Sequence, residues 1–480
     1  MSFTRGTIVK SFFWKLFERL SVQLIQFVVT IVLARLLLPS EYGIIALITI
    51  FIQLCDVIIE GGLNTALIQK KTADNTDFST IFFFSLGVSF ILYLIMYFTS
   101  PIIAHFYNEP QLIPVIRVLS LSLPFYAINS IQRAYVSRNM LFQRLFFCTL
   151  AAIVLSGSLG ILLAYKGLGV WALVGQSISN QVLITIIIWF VIRWRPIWIF
   201  SSSRFKELFG YGWKILGANF ITSLFVNIRK LVIGRVFSPA SLAYYEKGDQ
   251  LPSLVVSNIF TSVQTILLPV FSDSQDNRPK VKAMMRRSTK LSCFFIYPLT
   301  AGMIVAAKPL IVFLLTEKWL SVVPFVQILC IANFFRPITL SNWEAIKALG
   351  YSGITLKLEI LKKIIDVIIL VMSVYLGLYA IAWGCVVFNL LCVFINLAPN
   401  KKLLDYGVGE QVVDAVPTLL FAIIMAVCIY WIQLLNLPNI IILLIQFALG
   451  VMVYLGLCWL FKEESFMYLF QLINERRKKY

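Results

Sequence analysis

With 480 residues, 60% of them hydrophobic and 13% charged, and a mean hydropathy of +0.88, the chain repeatedly exceeds the roughly 18 consecutive apolar residues that mark a membrane-crossing helix. A soluble enzyme would set amphipathic periods or short strands between polar loops, so that class is excluded. The formal charge of +19 is scattered over many short loops, which excludes the single basic face of a nucleic-acid binder.

The first predicted span, between Lys10 and Pro39, carries a polar seam. At about 100° per residue, Ser11, Lys15, Arg19, Gln23, Gln26 and Thr30 fall in one sector of a helix, with Glu18 at its edge. Such a helix must turn its seam away from lipid. The stretch is longer than a signal-peptide core and has no A-x-A cleavage site, so it is expected to be retained. Further spans are predicted at about 42–66, 78–98, 114–136, 145–165, 169–192, 213–236, 250–271, 291–315, 322–346, 356–376, 379–398, 412–432 and 439–461, about fourteen in all. The fold class is therefore an all-α polytopic membrane protein.

An internal duplication organises these spans. Ile31 to Pro39 is echoed by Leu231 to Pro239, Tyr165 to Ala172 by Tyr375 to Ala382, and Pro114 by Pro324. Each half holds six spans, an even number, which predicts two parallel six-helix repeats about an axis along the membrane normal. The expected division is a first lobe at 1–192, an interfacial linker at 193–212, a second lobe at 213–400, and two appended spans with a basic tail at 401–480. The linker mixes Trp194, Trp198, Phe200, Phe205 and Phe209 with Arg and Lys, as a segment lying in the membrane interface does. Basic residues, among them Lys70, Lys71, Arg138, Arg144, Arg193, Arg195, Arg204, the 278–290 loop and Arg476 to Lys479, concentrate on one side of the predicted topology. The positive-inside rule then puts both termini in the cytoplasm.

Catalytic and cofactor signals are absent. His105 is the single histidine, no phosphate-binding glycine loop ending in Lys-Ser/Thr occurs, and the eight cysteines fall in apolar segments without C-x-x-C spacing. Protease triads, zinc sites, disulfide frameworks and bound nucleotide all lack parts. No enzyme, cofactor or metal is expected.

What remains are charges at membrane depth, each costing at least about 2.5–3.5 kcal/mol at mid-bilayer and so expected to face a cavity or a partner. The cations Lys15, Arg19, Arg117, Arg229, Lys230 and Arg336 are candidate contacts for an anionic substrate. Arg19 either snorkels to the interface or lines the cavity with the rest of its seam. Asp56 and Glu60, four residues apart on one helical face, repel each other unless a cation, a proton or a neighbouring Lys or Arg intervenes. With Glu344 they are the candidates for a coupling ion. Lys362, Lys363 and Asp366 add charge to the eleventh span, and Pro124, Pro298 and Pro337 interrupt theirs.

Several stretches together resemble one family. Leu38-Pro39-Ser40-Glu41-Tyr42-Gly43, Tyr244 to Pro252 with Leu268 to Ser272 behind it, Ala345 to Gly350 followed by Leu356 to Glu359, Gly169 to Gln176 and Arg138 to Phe142 are similar to polysaccharide transporter flippases. The resemblance implies the multidrug/oligosaccharidyl-lipid/polysaccharide exporter fold, two six-helix lobes around a cleft that opens alternately to either side. It further implies an undecaprenyl-diphosphate-linked oligosaccharide as substrate in a bacterial cytoplasmic membrane, with a polysaccharide polymerase and chain-length machinery as partners. The chemistry is coherent with this, because a glycan headgroup with many hydroxyls cannot cross lipid unaided, and a diphosphate suits an excess of intramembrane Arg and Lys. Two alternatives stand beside it. A membrane glycosyltransferase or polymerase would need a large outer loop or clustered acids, whereas no outer connector exceeds about 15 residues; a cation-coupled drug antiporter of the same superfamily would show an acidic cavity instead of a cationic one.

Overall fold

The computed structural model describes residues 5–435 and 437–479, and among them every regular element is a helix. The side chains of Lys10, Ser11 and the basic run Arg476 to Lys479 lie outside the described residues. The elements are α1 (Arg5–Leu36), α2 (Pro39–Glu60), α3 (Leu63–Gln69), α4 (Asn75–Tyr107), α5 (Leu112–Leu119), α6 (Ser122–Arg138), α7 (Phe142–Tyr165), α8 (Val170–Val191) and α9 (Ser202–Val236). They continue as α10 (Pro239–Asp273), α11 (Arg278–Leu315), α12 (Val323–Asn333), α13 (Arg336–Ala348), α14 (Ser352–Leu376), α15 (Leu378–Leu404), α16 (Val408–Tyr430), α17 (Asn439–Leu460) and α18 (Glu464–Lys479).

Twelve helices or helix pairs among the described residues are long and apolar enough to cross a membrane. Helices α10 and α14 occupy the predicted spans 250–271 and 356–376 without being among the twelve; α14 carries Glu359, Lys362, Lys363 and Asp366 within its length. Three predicted spans are broken. The second divides into α2 and α3 at Gly61-Gly62. The fourth divides into α5 and α6 just ahead of Pro124, and the tenth into α12 and α13, where Arg336-Pro337 opens a helix instead of kinking one. Proline at that position is favourable because the first-turn N–H groups have no helical partner to lose. Pro298, by contrast, stays inside the continuous α11.

The chain forms two compact units, Met1–Ala243 and Tyr244–Tyr480. This division falls later than the expected linker at 193–212, for a physical reason visible in α9. That helix starts at Ser202, includes eleven residues read as interfacial, and packs against α2, α3 and α4. The true irregular segment is short. Between α8 and α9, Trp194 is buried and donates from Nε1 to Asn75 Oδ1 at 3.2 Å, while the Ile197 and Ser201 amides donate to Ser79 Oγ and Thr80 Oγ1 at 2.9 and 3.2 Å. Trp198 projects outward, 93% exposed.

Membrane helices gain little from burying apolar surface against one another, since lipid is as apolar as leucine, so close approach at small residues carries their association. In the first unit α2 runs antiparallel along α9 and into the start of α10 by this means. A Cβ on Gly43 would lie 1.8 Å from the Pro239 carbonyl oxygen, and one on Gly62 would lie 2.3 Å from that of Gly212. Gly62 also has φ of +68°, and with Gly61 at +56° it makes the left-handed step that separates α2 from α3. Asn227 Nδ2 of α9 adds a bond to Gln53 Oε1 of α2 at 3.3 Å.

Charges close the Lys70 end of this unit. Asp74 caps α4 by accepting from the Thr76 and Asp77 amides, both at 3.0 Å. Lys70 pairs with Asp77 at 3.1 Å and Glu207 at 2.8 Å, and Arg204 with Asp74 at 2.7 Å and Asp77 at 3.1 Å. Burial pushes the Asp74 carboxyl up, but its amide bonds and Arg204 outweigh this and hold it below the usual carboxylate range. Arg138, at the end of α6, donates to the Leu67 and Lys71 carbonyls at 2.7 and 2.9 Å, satisfying acceptors that the end of α3 leaves open.

In the second unit α11 is the hub, packed against α12, α13, α16 and α17. Its core joins Phe294, Tyr297, Met425, Ile429, Tyr454 and Cys458. A buried amide ladder ties three neighbours together: Asn342 Nδ2 donates to Gln411 Oε1 at 2.6 Å and Asn400 Nδ2 to Asn342 Oδ1 at 2.7 Å. All eight cysteines are free thiols, seven of them buried.

Candidate functional site

A polar constellation between α2–α3, α6 and α8 in the first unit grows from spacing. Asp56 and Glu60, four residues apart, share one face of α2, and Asn64, past the glycine step, lines the same cavity as Glu60. Opposite them α6 presents Tyr126, Asn129, Ser130, Arg133 and Ser137 from successive turns, and α8 contributes Gln181. Tyr126 donates its hydroxyl to Glu60 Oε1 at 2.6 Å, and Asn129 Nδ2 donates to Gln181 Oε1 at 3.3 Å and to the Gln181 carbonyl at 3.4 Å. Glu60, Asn64 and these groups of α6 and α8 line a cavity of about 220 Å³. Asp56 lies one turn further along α2 and is half-buried, with Oδ1 making no hydrogen bond.

The candidate cations are distributed along several helices. Lys15 is exposed on α1, pairs with Glu18 at 2.6 Å and sits 5.6 Å above the Phe142 ring. Arg19 is exposed one turn further in, on the helix that α7 supports through the Trp14–Phe146 ring contact at 5.5 Å. Arg229 and Lys230 are half-buried on α9. Arg117 is held inside its own helix pair, with its guanidinium 4.4 Å above the Tyr97 ring and Nε donating to Ser100 Oγ at 3.1 Å.

In the second unit Arg336 lies 5.2 Å over the Phe260 ring and donates to Asn333 Oδ1 at 3.2 Å. Glu344 is 1% exposed and accepts from Gln264 Nε2 at 2.7 Å and Lys347 Nζ at 3.1 Å. Nearby on the same helix, Trp343 carries Lys362 of α14 at 3.9 Å from its ring and Lys347 at 5.3 Å. Of the coupling candidates, then, Asp56 and Glu60 stand together in one unit and Glu344 stands in the other. Among the described residues no group of three or more His, Cys, Asp or Glu is placed to hold a metal ion.

Sequence reasoning passed over Asn64, Tyr126, Asn129 and Gln181, because neutral amides and a phenol cost far less in a membrane helix than a charge and so leave little mark on a hydropathy reading. Their signal was the four-residue spacing from Glu60 to Asn64 and the cluster Tyr126 to Arg133 in a span otherwise apolar.

Comparison with known proteins connects this geometry to a family. Residues 32–324 match the sequence profile of the family described as "Polysaccharide biosynthesis protein". Teichuronic acid biosynthesis protein TuaB of Bacillus subtilis is 24% identical over 345 residues, covering 70% of each chain. Succinoglycan biosynthesis transport protein ExoT of Rhizobium meliloti is 22% identical over 330 residues, covering 68% of this chain and 66% of its own. The chain thus spans about two thirds of the length of these relatives. Among solved structures, lipid II flippase MurJ in an inward closed conformation superposes with a TM-score of 0.73 at 16% identity, over 94% of this chain and 98% of that one, which shows a shared fold. The profile covers more than half of a chain whose helices are long and apolar enough to cross a membrane about a dozen times, and the protein is a multi-pass membrane member of the polysaccharide biosynthesis protein family.

Proposed function

We propose that the protein is a flippase that carries an undecaprenyl-diphosphate-linked oligosaccharide repeat unit across the bacterial cytoplasmic membrane by alternating access, for surface polysaccharide assembly. The observation that carries this reading is a polysaccharide biosynthesis family membership in an all-helical fold like that of a lipid II flippase, with a polar and charged cavity lining set in helices long and apolar enough to cross a membrane. Hydroxyl-rich headgroups need such a lining, since each unpaired buried hydroxyl costs a few kcal/mol, roughly 2–7 by reference state. Cells lacking the protein are expected to accumulate carrier-linked repeat units on the cytoplasmic side. Altered repeat units would instead point to an enzyme, and an unchanged carrier pool to a drug antiporter.

The proposed topology has two parallel six-helix repeats, two further spans and both termini in the cytoplasm, alongside a polymerase and chain-length machinery as working partners. A cysteine placed at Asn277, which caps α11, is expected to stay unlabelled by an impermeant thiol reagent in intact cells. Labelling there overturns the orientation.

In the first unit Lys15, Arg19, Arg229 and Lys230 would meet the diphosphate, and Asp56 and Glu60 would exchange a coupling proton or sodium ion; in the second unit, taken by itself, Arg336 is the candidate cation and Glu344 the candidate coupling carboxylate. Two carboxylates one helical turn apart favour uptake of a cation or proton, which relieves their repulsion. The Asp56→Asn, Glu60→Gln double variant is expected to lose the response of transport to an imposed proton or sodium gradient. Gradient-driven transport at the native rate by a well-expressed double variant removes this coupling site.

A further inference from the structure

We propose that the cavity enclosed by α2–α3, α6 and α8 in the first unit is a subsite for one neutral pyranose ring of the glycan. The inference rests on the flippase reading and specifies which wall reads the sugar. Its volume of about 220 Å³ is many times the roughly 10–15 Å³ that a cavity needs to hold one water, room for a ligand of several heavy atoms such as one sugar ring.

The lining has the mixed polarity that hydroxyl groups require. Asn129 is 2% exposed, and its amide is oriented by donation of Nδ2 to the Gln181 carbonyl, an acceptor that leaves Oδ1 as the free end; that oxygen has no hydrogen-bond partner. Asn64 Oδ1 is buried and unpartnered in the same way. Two buried acceptors without donors are costly to leave open, and hydroxyl groups of a ligand supply the missing O–H donors. Glu60, with one carboxylate oxygen engaged by Tyr126, adds acceptor capacity. Arg133 supplies donors from the exposed rim. A diphosphate is disfavoured by Glu60, and a bare cation by Arg133 in the same wall. Asp56 lies outside this lining, and Glu60 is the one residue that the subsite shares with the proposed coupling pair.

The test uses the full-length protein in lipid nanodiscs and saturation-transfer NMR with free hexoses, an N-acetylhexosamine and a 6-deoxyhexose as probes. At least one of these sugars is expected to receive saturation from the native protein, with the signal lost in Asn64→Leu, Asn129→Leu. Arg133→Ala, on the exposed rim and therefore benign for folding, is expected to weaken binding by about ten-fold, as loss of a charged donor does. Absence of transfer from every sugar, or full transfer in a folded Arg133→Ala, overturns the subsite. So does displacement by sodium of a signal that sugars do not change. The two levels of the argument separate in cells: a null strain that accumulates carrier-linked units and is rescued fully by Asn64→Leu, Asn129→Leu removes the subsite and leaves the flippase, whereas a null strain that accumulates none removes the flippase reading itself.

Discussion

Arg19→Ala combined with Lys230→Ala is expected to leave membrane abundance unchanged and to lower transport per molecule by about a hundred-fold, because each charge-assisted bond to a phosphate oxygen is worth about 1.5–3 kcal/mol and ten-fold corresponds to about 1.4 kcal/mol. Arg19 projects from α1 on the seam of Gln23, Gln26 and Thr30, exposed in the structure, and Lys230 is half-buried on α9 at the position that the echo of Ile31 to Pro39 by Leu231 to Pro239 aligns with Thr30 of that seam. A guanidinium meets two phosphate oxygens at once, whereas an ammonium is a point charge, so Arg19→Lys should keep part of the activity. Lys15 is already neutralised by Glu18, and its alanine variant should be milder. If Arg19 only anchors the helix by snorkelling, Arg19→Gln lowers abundance and leaves transport per molecule intact. Complementation of a null strain, normalised to protein in the membrane, separates these outcomes, and native activity of a well-expressed double variant ends the proposal that Arg19 and Lys230 hold the diphosphate.

The apolar runs made the helices legible, because length and hydropathy alone decide whether a segment can cross lipid. Helix ends were not legible where polar turns extend a span without a break. The α9 helix begins at Ser202 and carries Arg204 and Glu207 into the network around Lys70 and Asp77, so an amphipathic surface segment and a membrane helix are one rod. Charges were legible as exceptions to hydropathy, but their partners were not. Arg117 reads as a cavity cation until Tyr97 and Ser100 are seen to hold it, and the wall of Asn64, Asn129 and Gln181 depends on three helices meeting. Asp414 shows the same blindness most clearly. It is a lone carboxylate near the start of an apolar span, and its partners Arg286 and Lys290, one helical turn apart, read only as topogenic charges 124 and more positions away.

Asp414→Ala is the substitution with the largest expected effect on stability. The Asp414 side chain is 3% exposed and accepts from Arg286 Nε at 2.8 Å and Arg286 Nη2 at 2.7 Å, from Lys290 Nζ at 3.1 Å, and from the Tyr406 hydroxyl at 2.7 Å. Burial, and then the bond to this carboxylate, push the Tyr406 phenol above its ordinary range, so it remains a donor at all physiological pH. One carboxylate thus fastens α16 to α11 and to the turn before it, and Lys290 extends the tie to Glu464 of α18. Removing a buried partner costs about 3–5 kcal/mol because the charges left behind lose their counterion. Arg286 is 52% exposed, water screens it, and the expected loss is therefore at the lower end, about 3 kcal/mol. Asp414→Asn retains an acceptor for Tyr406 and should lose less. Because α17 is held separately, through the Tyr454 hydroxyl to the Phe294 carbonyl at 2.9 Å, opening should start at the turn between α15 and α16. Limited proteolysis of the detergent-solubilised variant is expected to cut near Asp405 to Gly409 at temperatures where the native protein resists, with a lowered unfolding midpoint; a variant that melts and resists proteolysis like the native chain shows that Asp414 is not the anchor of α16.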